Sequence, residues 1–365
     1  MIEDFLSPVS KELQDFVAEV QDPYCIGKKI QFNFKESKNK KKIFLIGLNT
    51  GKSKNEFDEI RKQFYCLKFG DWHAEIYDLG DINGGNQESD TLFAFNMICD
   101  WALKSKSILL VLGNESKLIH WQHTAFCKNK HANLVTVDAK IALGNTNQPL
   151  NNQNYFGKMV QSDSHIGHYT NIGYQSYYVA KEEIELMNQM GYDFFRLGEL
   201  IENKKYIYPS LQDAHSMAIH LCSIQNQYNK EEEKTNPNGI STREICDLSY
   251  FAGLANNSQV LGLYNYTHLN QTFSSEELVG QILWYFIEGV NNRINSKEFN
   301  STNFEIYHLP LQEKDILFYR DLITNSWWVG QKNKKNHYPC SYEDYIDAVN
   351  NNISNRLKNI LKRII

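Results

Sequence analysis

The sequence predicts a three-layer α/β/α fold around an eight-stranded, mainly parallel sheet, on two observations. From residue 41 to about 293, apolar runs of strand length alternate with segments of helical periodicity, the pattern of a parallel sheet wrapped on both faces by helices. The chain is also long enough, at 365 residues with 42% hydrophobic and 22% charged content, to bury a large core. Eight runs qualify as strands: Ile43–Leu48, Glu75–Leu79, Ile108–Leu112, Leu134–Val137, Tyr169–Tyr174, Phe194–Leu197, Ser216–Leu221 and Val260–Tyr264.

Ahead of this core, Ser10 is placed to cap a short helix whose Leu13, Phe16, Val17 and Val20 share a face. Between the strands, helical patterns cover Asn55–Cys66, Asp90–Leu103, Lys181–Met190, Thr242–Leu254 and Ser275–Asn292. In the last, Leu278, Ile282, Tyr285 and Phe286 recur at helical spacing and predict one buried stripe. Beyond it the character changes. Phe304–Leu309, Ile316–Tyr319 and Trp327–Val329 read as a small β meander, and a closing helix from about Tyr342 carries Ile346, Val349, Ile353, Leu357 and Ile360 on one side. The expected organisation is a lead-in over 1–40, the α/β/α domain over 41–293 and a β-plus-helix extension over 294–365. No internal repeat is visible, and low complexity is confined to Lys38–Lys42 and Glu231–Lys234.

A net charge of −5 supplies no basic face for a phosphate backbone, so nucleic acid is not an expected partner. The basic run Lys38–Lys42 lies between strand-like segments and reads as a solvated turn. No apolar stretch approaches the roughly 18 residues of a membrane span, and the opening MIEDFLSPVS is acidic and polar where a signal peptide is basic and then apolar. A soluble, cytoplasmic protein is expected, with no membrane partner. Cys25, Cys66, Cys99, Cys127, Cys222, Cys246 and Cys340 form no CxxC pair and read as buried hydrophobes of a reducing compartment. Gly47–Ser53 (GLNTGKS) stands between a strand and a helix like a phosphate loop. Only Leu48, Asn49 and Thr50 separate its first glycine from Gly-Lys-Ser, one fewer than a P-loop needs.

Several phrases carry a family resemblance: Ile76–Ile82 (IYDLGDI), Leu110–Lys117 (LVLGNESK), Val135–Leu143 (VTVDAKIAL), Asn171–Gly173 (NIG), Ser216–Ile224 (SMAIHLCSI) and Asn238–Glu244 (NGISTRE). In this order and spacing they resemble the arginase or ureohydrolase superfamily. With the Trp327–Trp328 and Pro339–Tyr345 (PCSYEDY) tail, the likeness is to bacterial formimidoylglutamase-like proteins. The resemblance implies an arginase-like fold, a homo-oligomer, and hydrolysis of a C–N bond in a guanidino or formimino group by water held between two Mn²⁺ ions at the carboxyl edge of the sheet. Carried over residue by residue, the ligand positions fall on Ser116, on Asp138, Lys140 and Ala142, and on Ala218 and His220. The carboxylate that grips the substrate falls on Asn265.

Of these positions only Asp138 keeps the family's residue. A unit charge about 4 Å from a dication, at an effective dielectric near 20, feels roughly 8 kcal/mol of repulsion, so Lys140 at a ligand position argues against a metal pair. Since Asp138 and Lys140 are two apart on extended chain, an Asp138–Lys140 ion pair in place of the metals is expected. No metal cofactor is therefore expected, unless Asp138 and His220, joined by Asp213 or His215, hold a single ion. A Ser116 nucleophile served by Lys140 is disfavoured, because a carboxylate neighbour favours the charged lysine. The expected function is a degenerate, non-hydrolytic family member binding a small guanidino- or formimino-type ligand, or a protein partner through the aromatic tail of Trp327, Trp328, Tyr338, Tyr342 and Tyr345. The alternative is an active amidinohydrolase with an atypical metal set.

Overall fold

In the computed structural model, residues 2–364 are described except 35–39, 52–55, 83, 128–130, 163–165, 226–235, 267–272, 294–298, 312–313, 323–324 and 333–335. The central sheet has nine strands: β1 (Leu6–Ser7), β2 (Lys42–Leu48), β3 (Glu75–Ile82), β4 (Ile108–Gly113), β5 (Ala132–Val137), β6 (Ile166–Tyr174), β7 (Asp193–Arg196), β8 (Ser216–His220) and β9 (Val260–Tyr264). Their order is β1-β3-β2-β4-β9-β8-β5-β6-β7. The eight expected strands are present and run parallel; the ninth, β1, is a correction. It pairs antiparallel with β3, Leu6 opposite Ile82 and Ser7 opposite Asp81, and two residues are too few to show any periodicity. The approach depends on Gly80, at φ +81°, where a Cβ would stand 2.0 Å from the Ser7 carbonyl oxygen.

Along β2 the side chains alternate between two cores, Ile43 and Leu45 on one face and Phe44, Ile46 and Leu48 on the other. This burial on both faces is what the unbroken apolar runs encode. Ser10 caps the helix Lys11–Glu19, its Oγ accepting from the Leu13 N–H at 3.2 Å. The helix expected from Asn55 is observed over Asp58–Cys66, Asn55 itself lying outside the described residues. The helix Phe273–Asn291 buries Val279, Ile282, Leu283, Phe286, Ile287 and Val290, while Tyr285 of the expected stripe is exposed. It crosses the helix Thr242–Gly253 at Gly289, where a Cβ would meet the Tyr250 carbonyl at 2.2 Å.

The extension forms a second, antiparallel sheet of β10 (Phe304–Leu311), β11 (Lys314–Asp321), β12 (Trp327–Gln331) and β13 (His337–Cys340). The closing helix is two helices, Tyr342–Val349 and Asn355–Ile364, a second correction. Asn351 between them takes φ +59°, a conformation asparagine tolerates and the asparagine run Asn350–Asn352 favours. Trp327 stacks on Tyr307 and Tyr345, each at 5.2 Å, so part of the aromatic tail covers its own small core. Among the described residues no helix is long and apolar enough to cross a membrane.

Candidate functional site

Three strand ends build the site. Asp138 follows β5, its N–H still donating to Ile172 of β6 at 3.1 Å, so the backbone aims the carboxylate at the sheet's carboxyl edge. That carboxylate is buried and accepts the Lys140 N–H at 3.1 Å and the Tyr155 hydroxyl at 3.3 Å. Burial first, and then the Asp138 charge, push the Tyr155 phenol well above its ordinary range, which keeps it a proton donor. His220 ends β8, with Nδ1 4.0 Å from the Asp138 carboxylate. Asn265 directly follows β9 at φ +65° and places its Nδ2 2.8 Å from His220 Nε2. With that amide donating, Nε2 carries the lone pair and Nδ1 the proton.

The other expected positions behave differently. Ser116 is fully buried in the turn before the helix Leu118–Phe126, its Oγ donating to the Asn152 carbonyl at 3.4 Å. Ala142 is buried, and its carbonyl accepts the N–H groups of Phe156 and Gly157, both at 3.0 Å. Ala218 sits mid-strand in β8 between Thr136 and Gly262 and packs in the core. Lys140 corrects an expectation. Its side chain turns outward with the ammonium 5.0 Å over the Tyr178 ring, and Asp138 receives only its backbone N–H. The pairing failed because residues 138–140 leave the strand, which ends at Val137, so the period-two rule no longer governs them. Asp213 and His215 lie at the opposite end of β8: Asp213 pairs with Arg363 at 2.7 Å, and His215 Nδ1 accepts the Asn133 N–H at 3.2 Å. The loop Gly47–Ser53 falls partly, and the segment Glu231–Lys234 wholly, outside the described residues.

Sequence reasoning missed a set of buried amides around this corner. Asn171 of β6 donates to the Lys140 carbonyl at 3.2 Å, and Gln175 donates to Asn236 Oδ1 at 3.2 Å. The side-chain oxygens of Asn171, Gln175 and Asn265 are buried without a hydrogen-bond partner. Asn171 lay within the phrase NIG, but nothing in one sequence marks an amide oxygen as unengaged. Among the described residues, no group of three or more His, Cys, Asp or Glu side chains is arranged to hold a metal ion.

No family model and no curated protein matches the chain. Solved structures do. A formiminoglutamase of Trypanosoma cruzi with Mn²⁺ aligns over 75% of this chain and 100% of its own, at TM-score 0.65 and 12% identity. The formimidoylglutamase of Bacillus subtilis aligns over 75% and 94%, at 0.63 and 12%. The chain has the formiminoglutamase fold. An agmatine ureohydrolase of Thermoplasma volcanium shares it at TM-score 0.57 and 15% identity, over 77% and 97%. Identities this low establish the formiminoglutamase fold and leave the chemistry to the residues at the strand ends.

Proposed function

We propose that this chain is a non-hydrolytic homologue on the formiminoglutamase fold, with its two-metal centre dismantled and its pocket kept for a small donor-rich ligand of guanidino or formimino type. One observation carries the reading: of the expected ligand positions only Asp138 bears a carboxylate, and it stands near unengaged amide oxygens, with Ser116, Ala142 and Ala218 at other positions of that set. Two divalent ions bring four positive charges, and such ions are held by sites rich in carboxylate and imidazole. Asp138 and His220 do not make such a set. The repulsion argument from Lys140 is not needed, since its ammonium points away; the deficit of anionic ligands suffices.

The same corner suits a ligand bearing several N–H donors. Asp138 supplies charge, and Asn171, Gln175 and Asn265 each supply an acceptor whose unmet desolvation costs about 1–3 kcal/mol until a donor arrives. The second reading, an amidinohydrolase with an atypical metal, draws on the 4.0 Å between His220 Nδ1 and Asp138. A single ion about 2 Å from each would span that gap once Nδ1 gives up its proton and the Asn265 amide turns its oxygen to Nε2. Binding of formiminoglutamate, agmatine, arginine and guanidinobutyrate to the full chain by calorimetry, followed by turnover assays with Mn²⁺ restored, separates the two. Saturable binding of one compound without turnover is expected; turnover establishes the second reading instead.

A further inference from the structure

We propose that a cavity at the opposite, amino end of the sheet is a resident site for one small inorganic anion of chloride size. It lies where the helix Asn355–Ile364 and β13 pack on the start of β5 and β6, and Asn133, His168, Ser210, Asp213, Arg356 and Arg363 are among its walls. Its volume of about 20 Å³ is enough for an occupant the size of one water or one halide ion.

The hydrogen bonds left unmade decide what that occupant is. Arg356 is 5% exposed, and its Nη2 donates to the Asp344 carboxylate, while Nε and Nη1 are buried with no partner. The face of the guanidinium lies 5.4 Å from the Tyr206 ring, so its edge N–H groups are what remain. Ser210 Oγ, on the same cavity wall, is likewise buried and unpartnered. The neighbouring carboxylates are already engaged. Asp344 accepts the Ser341 N–H at 2.8 Å and the Ser354 hydroxyl at 3.1 Å, Asp213 is held by Arg363 and Asn133, each at 2.7 Å, and Asp193 meets His168 at 2.9 Å.

The groups without partners are therefore two guanidinium N–H donors and a hydroxyl free to donate. A water accepts from them but brings two hydrogens of its own to place, whereas a monatomic anion accepts from all sides. Burial opposes the Arg356 charge, but Asp344 and then Asp193 outweigh it, and the guanidinium stays a cation. Since the cavity exists only when the C-terminal helix is docked, an anion bound there stabilises the docked, folded chain by linkage.

Thermal unfolding of the full chain at constant ionic strength, exchanging chloride for gluconate, reads this directly. The expected result is a rise of about 2 °C in Tm per tenfold chloride, from the linkage relation and the usual Tm sensitivity of a chain this size. A crystal grown in bromide should show an anomalous peak between Arg356 and Ser210. Ser210→Ala is expected to reduce the chloride dependence and Arg356→Lys to abolish it; if the lysine variant does not fold, Ser210→Ala and the bromide peak carry the test. Equal Tm in the two salts, a water in place of bromide, or bromide bound only at crystal concentration without any Tm dependence each overturns the proposal.

Discussion

The strand β5 connects two polar sites of opposite character. At its carboxyl end, Asp138 stands among buried amide oxygens that have no donor, and side-chain charge is sparse. At its amino end, Asn133 lies on a cavity where charges are dense and paired, the Asp344–Arg356 pair buried, and where the groups left over are guanidinium N–H groups and a hydroxyl. The contrast teaches what each end was built to do. At the amino end the Asp213–Arg363 pair ties the extension to the core and the buried Asp344–Arg356 pair within the extension would be costly to break singly, whereas the carboxyl end leaves amide acceptors unengaged, where the proposed ligand would bind.

Four measurements break or sharpen this contrast. The largest effect belongs to the amino end. Asp344→Ala leaves the buried Arg356 without its anion and removes the carboxylate half of the capping box on the helix Tyr342–Val349, so the urea midpoint should fall by an amount equivalent to about 3–5 kcal/mol. Next is Asp138→Asn, which should weaken the best-bound guanidino or formimino compound tenfold or more by calorimetry. An unchanged affinity would place the ligand elsewhere.

Lys140→Ala should shift the urea midpoint by no more than about 0.5 kcal/mol, because its ammonium is exposed over Tyr178; a larger loss means that it bears charge in the site after all. A fourth effect is in pH. Burial, and then Arg293, lower Lys41 at the head of β2 from 10.5 to about 8. Between those values the unfolded chain binds more protons than the folded one, so stability should rise as the pH climbs from about 8 toward 10.5. Lys41→Met should flatten that rise in a series of melts.

The architecture was legible because its signals are repeated. Eight apolar runs alternate with stretches of helical periodicity, and an error at one end of a helix does not disturb the rest. The misses were local. The edge strand β1 is held by a glycine's close approach to Ser7, and the break near Asn351 is set by turn chemistry inside an apolar stripe that suggested continuity. At the site, the sequence identified Asp138, His220 and Asn265, which the structure brings together. It misplaced the Lys140 side chain, because orientation past a strand's end depends on the loop. The amide oxygens of Asn171 and Gln175, and the cavity around Arg356, arise from contacts between distant segments that no local pattern reveals.

The most direct test of the proposed loss of the metal centre is the metal stoichiometry of the full chain, dialysed against excess Mn²⁺, washed, and measured by elemental analysis. The charge deficit at the carboxyl edge predicts no stoichiometric manganese in the wild-type chain. Two ions per chain, lost on Asp138→Asn, would contradict it.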